Sequence, residues 1–130
     1  MSLRETATVL DARLDGGDAV FTGVGTDTRT LREGDLFFAL RGPRFDGHLF
    51  LSEAAAAGAA GAVVSRRIAT PLPTLEVEDT RVALGQLAAN WRSRFDFPLI
   101  AVTGSNGKTT VKNMIAAIMV ECGPGYATEG

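Results

Sequence analysis

The stretch Leu99–Val111, LIAVTGSNGKTTV, limits what this chain can fold into more than any other segment. An apolar run gives way to two glycines, and Lys108-Thr109-Thr110 then opens a run of helix formers. That order predicts a buried strand over Leu99–Val102, a tight turn, and a helix entered at Lys108. It is the order a phosphate-binding loop requires. Glycines let the backbone approach phosphate oxygens, successive N–H groups point into the turn, and the helix start adds positive potential. Lys108 would offset the charge of the β- and γ-phosphates, and the Thr109 hydroxyl would reach Mg²⁺. A plain glycine-rich turn explains the glycines but not a Gly-Lys-Thr placed at the helix start. One departure stands out: in G-x-x-x-x-G-K-[ST] the first glycine would fall at Val102, and the glycine available is Gly104.

Upstream of that loop, helical and extended patterns alternate. Leu3, Ala7, Leu10 and Leu14 recur at helical spacing until Gly16-Gly17, which predicts a helix over residues 3–13. Ala19–Val24 and Leu36–Leu40 are apolar runs separated by the turn formers Arg32-Glu33-Gly34-Asp35, and they read as paired strands. His48–Gly58 is an alanine-rich helix closed by glycine, and Ala62–Val64 a short buried strand. Leu75–Val77 is extended, and Asp79 can cap a helix over about 80–94 with Leu84, Leu87, Ala88 and Trp91 as its buried stripe. The expected class is α/β. A boundary is expected between about residues 78 and 98, giving a small α/β domain over 1–80, a connecting helix and linker over 81–97, and the first strand, phosphate loop and helix of a second domain over 98–130.

Composition removes several function classes. At 130 residues, 45% hydrophobic and 22% charged, the chain has enough apolar material for one packed domain plus part of another. A net charge of -2 with scattered basic residues gives no field to gather nucleic acid. No apolar run approaches the roughly 20 residues of a spanning helix, so no membrane insertion is expected and the chain is placed in the cytoplasm. Cys122 is the only cysteine, which excludes an intramolecular disulfide and suggests a small packed side chain in a reducing compartment. His48 is the only histidine, and without Cys or His neighbours it makes no metal site.

TGSNGKTT resembles the ATP loop of the Mur ligases and of their folylpolyglutamate synthetase relatives, whose version lacks the first glycine and carries an asparagine at the position of Asn106. The missing glycine thereby becomes diagnostic. TDTR (Thr26–Arg29), GDLFFALRG (Gly34–Gly42) and FDGH (Phe45–His48) resemble the amino-terminal UDP-sugar-binding domain of the Mur ligases, which the folate enzymes are not expected to carry. Within the group, LFFALRG and TVKNM are more similar to members that add D-alanyl-D-alanine than to those that attach the third stem residue.

The resemblance implies ATP and Mg²⁺ as cofactors, and UDP-N-acetylmuramoyl-tripeptide and D-alanyl-D-alanine as substrates. It assigns Gly104, Ser105, Asn106, Gly107, Lys108, Thr109 and Thr110 to ATP, with Lys108 and Thr109 catalytic and Thr109 also on the metal. Thr28, Arg29, Asp46 and His48 are assigned to the nucleotide sugar. Simpler roles compete for three of these: Asp46, like Asp27, as a turn cap, Arg29 in an ion pair, His48 as a helix-start residue. The likeness covers essentially the whole chain yet only the beginning of a three-domain enzyme, which implies a fragment that does not ligate by itself. Two other readings stay open: a generic P-loop nucleotidase or kinase, and a non-catalytic UDP-sugar-binding module.

Overall fold

Ser2 starts the first helix with a reciprocal cap. Its hydroxyl accepts the Glu5 amide and the Glu5 carboxylate accepts the Ser2 amide, so α1 runs Leu3–Leu10. The helix ends sooner than the spacing predicts. Asp11 adopts a left-handed conformation (φ 48°, ψ 44°), and the chain turns into β1 (Arg13–Asp15), a strand the sequence reading does not contain. This computed structural model describes residues 1–129, and it divides into two units, Met1–Phe95 and a second beginning at Asp96.

The first unit continues through β2 (Gly23–Gly25), β3 (Asp35–Phe38), β4 (Arg41–Gly42), β5 (Phe45–Asp46), α2 (Leu51–Ala56), β6 (Gly61–Val64), β7 (Thr74–Glu76) and α3 (Thr80–Arg92). Five strands form one sheet in the order β1-β7-β6-β3-β2, and β4 pairs with β5 in a separate antiparallel hairpin. Neighbours among β2, β3, β6 and β7 are parallel, whereas β1 runs antiparallel to β7. The two runs expected to pair do so, but in parallel, with Gly23 beside Asp35 and Gly25 beside Phe37. Arg32–Asp35 therefore closes no hairpin. Its turn, with the Asp35 carboxylate accepting the Arg32 amide at 2.9 Å and Gly34 at φ 83°, launches β3 after the chain has looped back through residues 26–31.

Every residue of β3 and β6 is buried, the mark of strands covered on both faces. Side chains alternate as the pleat demands. Leu36, Phe38 and Val63 pack with Leu3 and Leu10 of α1 and Ala83 and Leu87 of α3; Phe37, Ala39, Ala62 and Val64 pack with Leu51 and Ala54 of α2. The predicted helix over His48–Gly58 divides into a 3₁₀ turn, Gly47–Phe50, and α2. In α3, Asp79 caps the amides of Arg81 and Val82, and the buried Thr80 hydroxyl donates to the Ala39 carbonyl at 3.0 Å, fastening the helix start to the end of β3. Trp91 is not core as the stripe suggested. It lies a turn beyond Leu87, 49% exposed, with Phe95 edge-on and the Arg94 guanidinium over its ring at 5.1 Å.

In the second unit α4 spans Lys108–Val120. Leu99–Val102, predicted as a strand, joins no ladder among the described residues. A strand is defined by its hydrogen-bonded neighbour, and none lies beside it there. Cys122 is exposed rather than packed. Among the described residues no helix is long and apolar enough to cross a membrane.

Candidate functional site

Parallel strands deliver their carboxyl ends to one rim of a sheet, and loops from all four parallel strands carry polar groups there. β2 leads into Thr26–Arg29, β3 into the β4–β5 hairpin, β6 into Ser65 and Arg66, and β7 through Asp79 into Arg81. A cavity of about 640 Å³ opens at this rim, within the range of small-molecule sites. Thr26, Asp27, Thr28 and Arg29 form one wall, Leu40, Arg41 and Gly42 another, and Phe37, Phe45, Phe50 and Arg81 complete it. Phe45 and Phe50 stack, with centroids 5.4 Å apart and planes 19° from parallel. The cavity thus joins aromatic faces to three guanidinium groups and two threonine hydroxyls, a composition suited to a base and a diphosphate.

The Thr26–Arg29 wall braces itself. Asp27 Oδ1 accepts both the amide and Nε of Arg29, at 3.0 and 2.9 Å, while Oδ2 accepts Nη2 at 2.5 Å. The Arg29 side chain, bonded to the carboxylate, is the chief reason the Asp27 pKa lies at about 2 instead of 3.8. Arg29 therefore lines the cavity already engaged, with Thr28 beside it. Arg41 and Arg81 make no ion pair among the described residues.

Asp46 and His48 do not line the cavity; Asp46 closes the hairpin and His48 follows in the 3₁₀ turn. Asp46 Oδ1 accepts the His48 amide at 3.0 Å and lies 2.6 Å from His48 Nδ1, and Oδ2 accepts Arg66 Nη2 at 2.9 Å. Foremost the His48 ring bond, helped by its amide and by Arg66, lowers the Asp46 pKa to about 2 against the opposing effect of burial. On the far side of the ring, Nε2 accepts the Ser65 amide at 2.9 Å.

In the second unit the turn over Gly104–Gly107 enters a helix at Lys108, as the sequence suggests, although among the described residues no strand leads into it. Gly104 (φ 151°) and Gly107 (φ 75°) adopt positive φ, which favours glycine, and α4 begins at the next residue with no side-chain cap. The first-turn amides, including those of Lys108, Thr109 and Thr110, have no intrahelical acceptor. Lys108 Nζ bends back to the Gly104 carbonyl at 2.5 Å, so its cation stays over the loop that holds Ser105 and Asn106. Uncapped donors, positive-φ glycines and a tethered ammonium fit a polyphosphate. Thr109 occupies the second helical position, and among the described residues no group of three or more His, Cys, Asp or Glu side chains converges on a metal site.

Sequence reasoning singled out none of Thr26, Arg41, Phe45, Phe50 and Arg81, although the first three lie inside TDTR, GDLFFALRG and FDGH. Phe50 lies inside a stretch that reads as helix core. Arg81 did leave a signal: a cation in the first turn opposes the helix dipole, and such a placement points to an anion nearby.

The description "Mur ligase family, catalytic domain" matches residues 20–92, and "Mur ligase middle domain" matches residues 102–130. The chain is 45% identical over its full length to the UDP-N-acetylmuramoyl-tripeptide--D-alanyl-D-alanine ligase of Escherichia coli, spanning 29% of that enzyme. It is 42% identical over 78% of its length to the UDP-N-acetylmuramoyl-L-alanyl-D-glutamate--2,6-diaminopimelate ligase of Aquifex aeolicus, spanning 21% of it. Among solved structures, MurF from Acinetobacter baumannii superposes with a TM-score of 0.82 at 35% identity, covering 93% of this chain and 28% of that one. MurF ligase from Thermotoga maritima in complex with ADP gives 0.67 at 34% identity, covering 75% and 23%.

Proposed function

Because the chain belongs to the Mur ligase family, we propose that it supplies the nucleotide-sugar pocket and the ATP loop of a cytoplasmic ligase that joins D-alanyl-D-alanine to UDP-N-acetylmuramoyl-tripeptide. The observation that carries this reading is the cavity at the sheet rim, where a stacked aromatic pair faces Arg41 and Arg81. In it the Phe45–Phe50 pair offers an apolar face to uracil, and Arg41 and Arg81 oppose the diphosphate charge. Thr26 and Thr28 offer hydroxyls to the sugar. Asp27 holds Arg29 so that the wall keeps its shape.

ATP with Mg²⁺ would supply the phosphoryl group that turns the peptide carboxylate into an acyl phosphate, releasing ADP, and attack by the amine of D-alanyl-D-alanine would then form the amide and expel inorganic phosphate. A carboxylate is otherwise a poor electrophile and its oxygen a poor leaving group. This chain's contribution to that step is electrostatic. The amides from Gly104 to Thr110 would orient the phosphates, Lys108 would offset the repulsion between two anions, and the Thr109 hydroxyl would help hold the metal. The same pocket would serve a ligase that adds the third stem residue, and the match to the Aquifex enzyme keeps that as the second reading.

Titration calorimetry with UDP-N-acetylmuramoyl-tripeptide tests the pocket. Binding that UDP competes away, and that Arg81→Ala weakens by about 10- to 100-fold, the loss of one or two charge-assisted hydrogen bonds, is the expected result. Heat from MgATP with none from the precursor would support a generic P-loop nucleotidase and reject the proposal.

A further inference from the structure

His48 is fully buried at its side chain, and neither the cavity lining nor the phosphate loop includes it. Its ring is nevertheless held at both ends. A backbone N–H can only donate, so the 2.9 Å contact from Ser65 makes Nε2 an acceptor. The ring proton of neutral His48 then resides on Nδ1, facing Asp46 Oδ1 at 2.6 Å. Asp46 ends the β4–β5 hairpin and Ser65 follows β6, so the ring bridges two segments that the chain connects through the 3₁₀ turn, α2 and β6. Arg66, on the β6 side, grips the same carboxylate through Oδ2 at 2.9 Å. Beside the ring, the Gly47 amide donates to the Leu40 carbonyl at 2.7 Å, closing the base of the hairpin. Segment 40–48 is thus fastened at its base while its other face presents Arg41 and Phe45 to the cavity.

We propose that His48, as the Nδ1–H tautomer, is a positioning residue for the nucleotide-sugar pocket, holding the β4–β5 hairpin through Asp46 and the Ser65 amide so that Arg41 and Phe45 meet the ligand. The inference rests on the reading of that cavity as the nucleotide-sugar site. Asp46, His48 and Ser65 also have the residue types of a nucleophilic triad, with Ser65 Oγ 3.2 Å from Nε2. The Ser65 amide already engages the Nε2 lone pair, however, and leaves the ring no acceptor for the hydroxyl proton. His48 is a strap and not a base.

Two variants each keep half of the bridge. In His48→Asn the amide nitrogen replaces Nδ1 and retains Asp46; in His48→Gln the amide oxygen replaces Nε2 and retains the Ser65 amide. Calorimetry with UDP-N-acetylmuramoyl-tripeptide should show each variant, folded by circular dichroism, binding roughly tenfold more weakly, about one hydrogen bond's worth. A double-mutant cycle distinguishes positioning from general support. In an Arg41→Ala background the penalty for His48→Gln should shrink, because the group being positioned is gone. Equal penalties in both backgrounds overturn the inference while leaving the pocket reading intact; an unsubstituted chain that binds no precursor overturns both. Should the variants not fold, the unsubstituted chain decides. Its single histidine gives one pair of ring signals in nitrogen NMR, expected to report a protonated Nδ1 and an unprotonated Nε2, with proton exchange slowed when UDP-N-acetylmuramoyl-tripeptide binds, by reciprocity of coupling. An Nε2–H tautomer, or exchange indifferent to the precursor, overturns the inference.

Discussion

Gly47, the glycine of FDGH, stands where a side chain has no room, and replacing it with alanine gives the sharpest test of how the hairpin is seated. A Cβ there would lie 2.9 Å from Ala39 Cα and from its carbonyl carbon, and 2.8 Å from Leu40 N. Carbon contacts are comfortable at roughly 3.5 Å or more, so the new methyl falls about 0.6 Å short of that. All three obstructing atoms are backbone, and none can rotate aside. Ala39 is pinned further by its amide on the Val63 carbonyl at 3.0 Å and by Thr80 on its own carbonyl. The strain therefore belongs near the upper part of the overpacking range, about 2–3 kcal/mol. For a unit spanning Met1–Phe95, that lowers the unfolding midpoint by roughly 10–20 °C. Gly85, inside α3 with nothing within 4 Å of its would-be Cβ, is the control. Gly85→Ala should raise the midpoint, since alanine is favoured over glycine in a helix interior by about 1 kcal/mol. Thermal unfolding followed by circular dichroism measures both. If Gly47→Ala melts with the unsubstituted chain, close backbone approach is not what requires glycine there.

Thr80→Val preserves shape but strips the hydroxyl from the Ala39 carbonyl; urea unfolding should report a loss of about 1–3 kcal/mol, and a smaller loss would mean that carbonyl finds another donor. Asp46 has its folded pKa depressed from 3.8 to about 2, so its contribution to stability is complete above the higher value and lost as pH falls through the lower one. Melting midpoints recorded from pH 5 down to 2 should drop across that window, and Asp46→Asn should flatten part of the drop, Asp27 supplying more. In a ligase that contains this chain, Lys108→Ala is expected to abolish turnover while precursor affinity stays unchanged; a steady-state assay that finds turnover retained removes Lys108 from the mechanism.

Much of the fold was legible where a local rule and the tertiary context agree. The Asp79 cap, the apolar runs of β3 and β6 and the Gly-Lys-Thr helix start all appear where their chemistry places them. The direction of β2 relative to β3 was not, because a turn-forming tetrapeptide looks the same whether it closes a hairpin or ends a long return loop. β1, three residues with only the middle one partly buried, lacks an apolar signature of its own and depends on pairing with β7. TDTR and FDGH both fall near the cavity at the sheet rim, but the motifs do not say which side chains face it. Thr28 and Arg29 line it, while Asp46 and His48 do not. That division is set by a backbone amide 17 residues away from His48, a partner that no side-chain pattern encodes.

The parallel order of β2, β3, β6 and β7 separates two tasks. Two apolar layers press on the middle of the sheet, whereas the cavity opens at its rim among residues 26–29, the hairpin and the first turn of α3. Exchanging the exposed tip of such a loop removes little from either layer. A scaffold of this design can change what it recognises without renegotiating how it holds together, and graftable specificity is the practical dividend of strands that all point the same way.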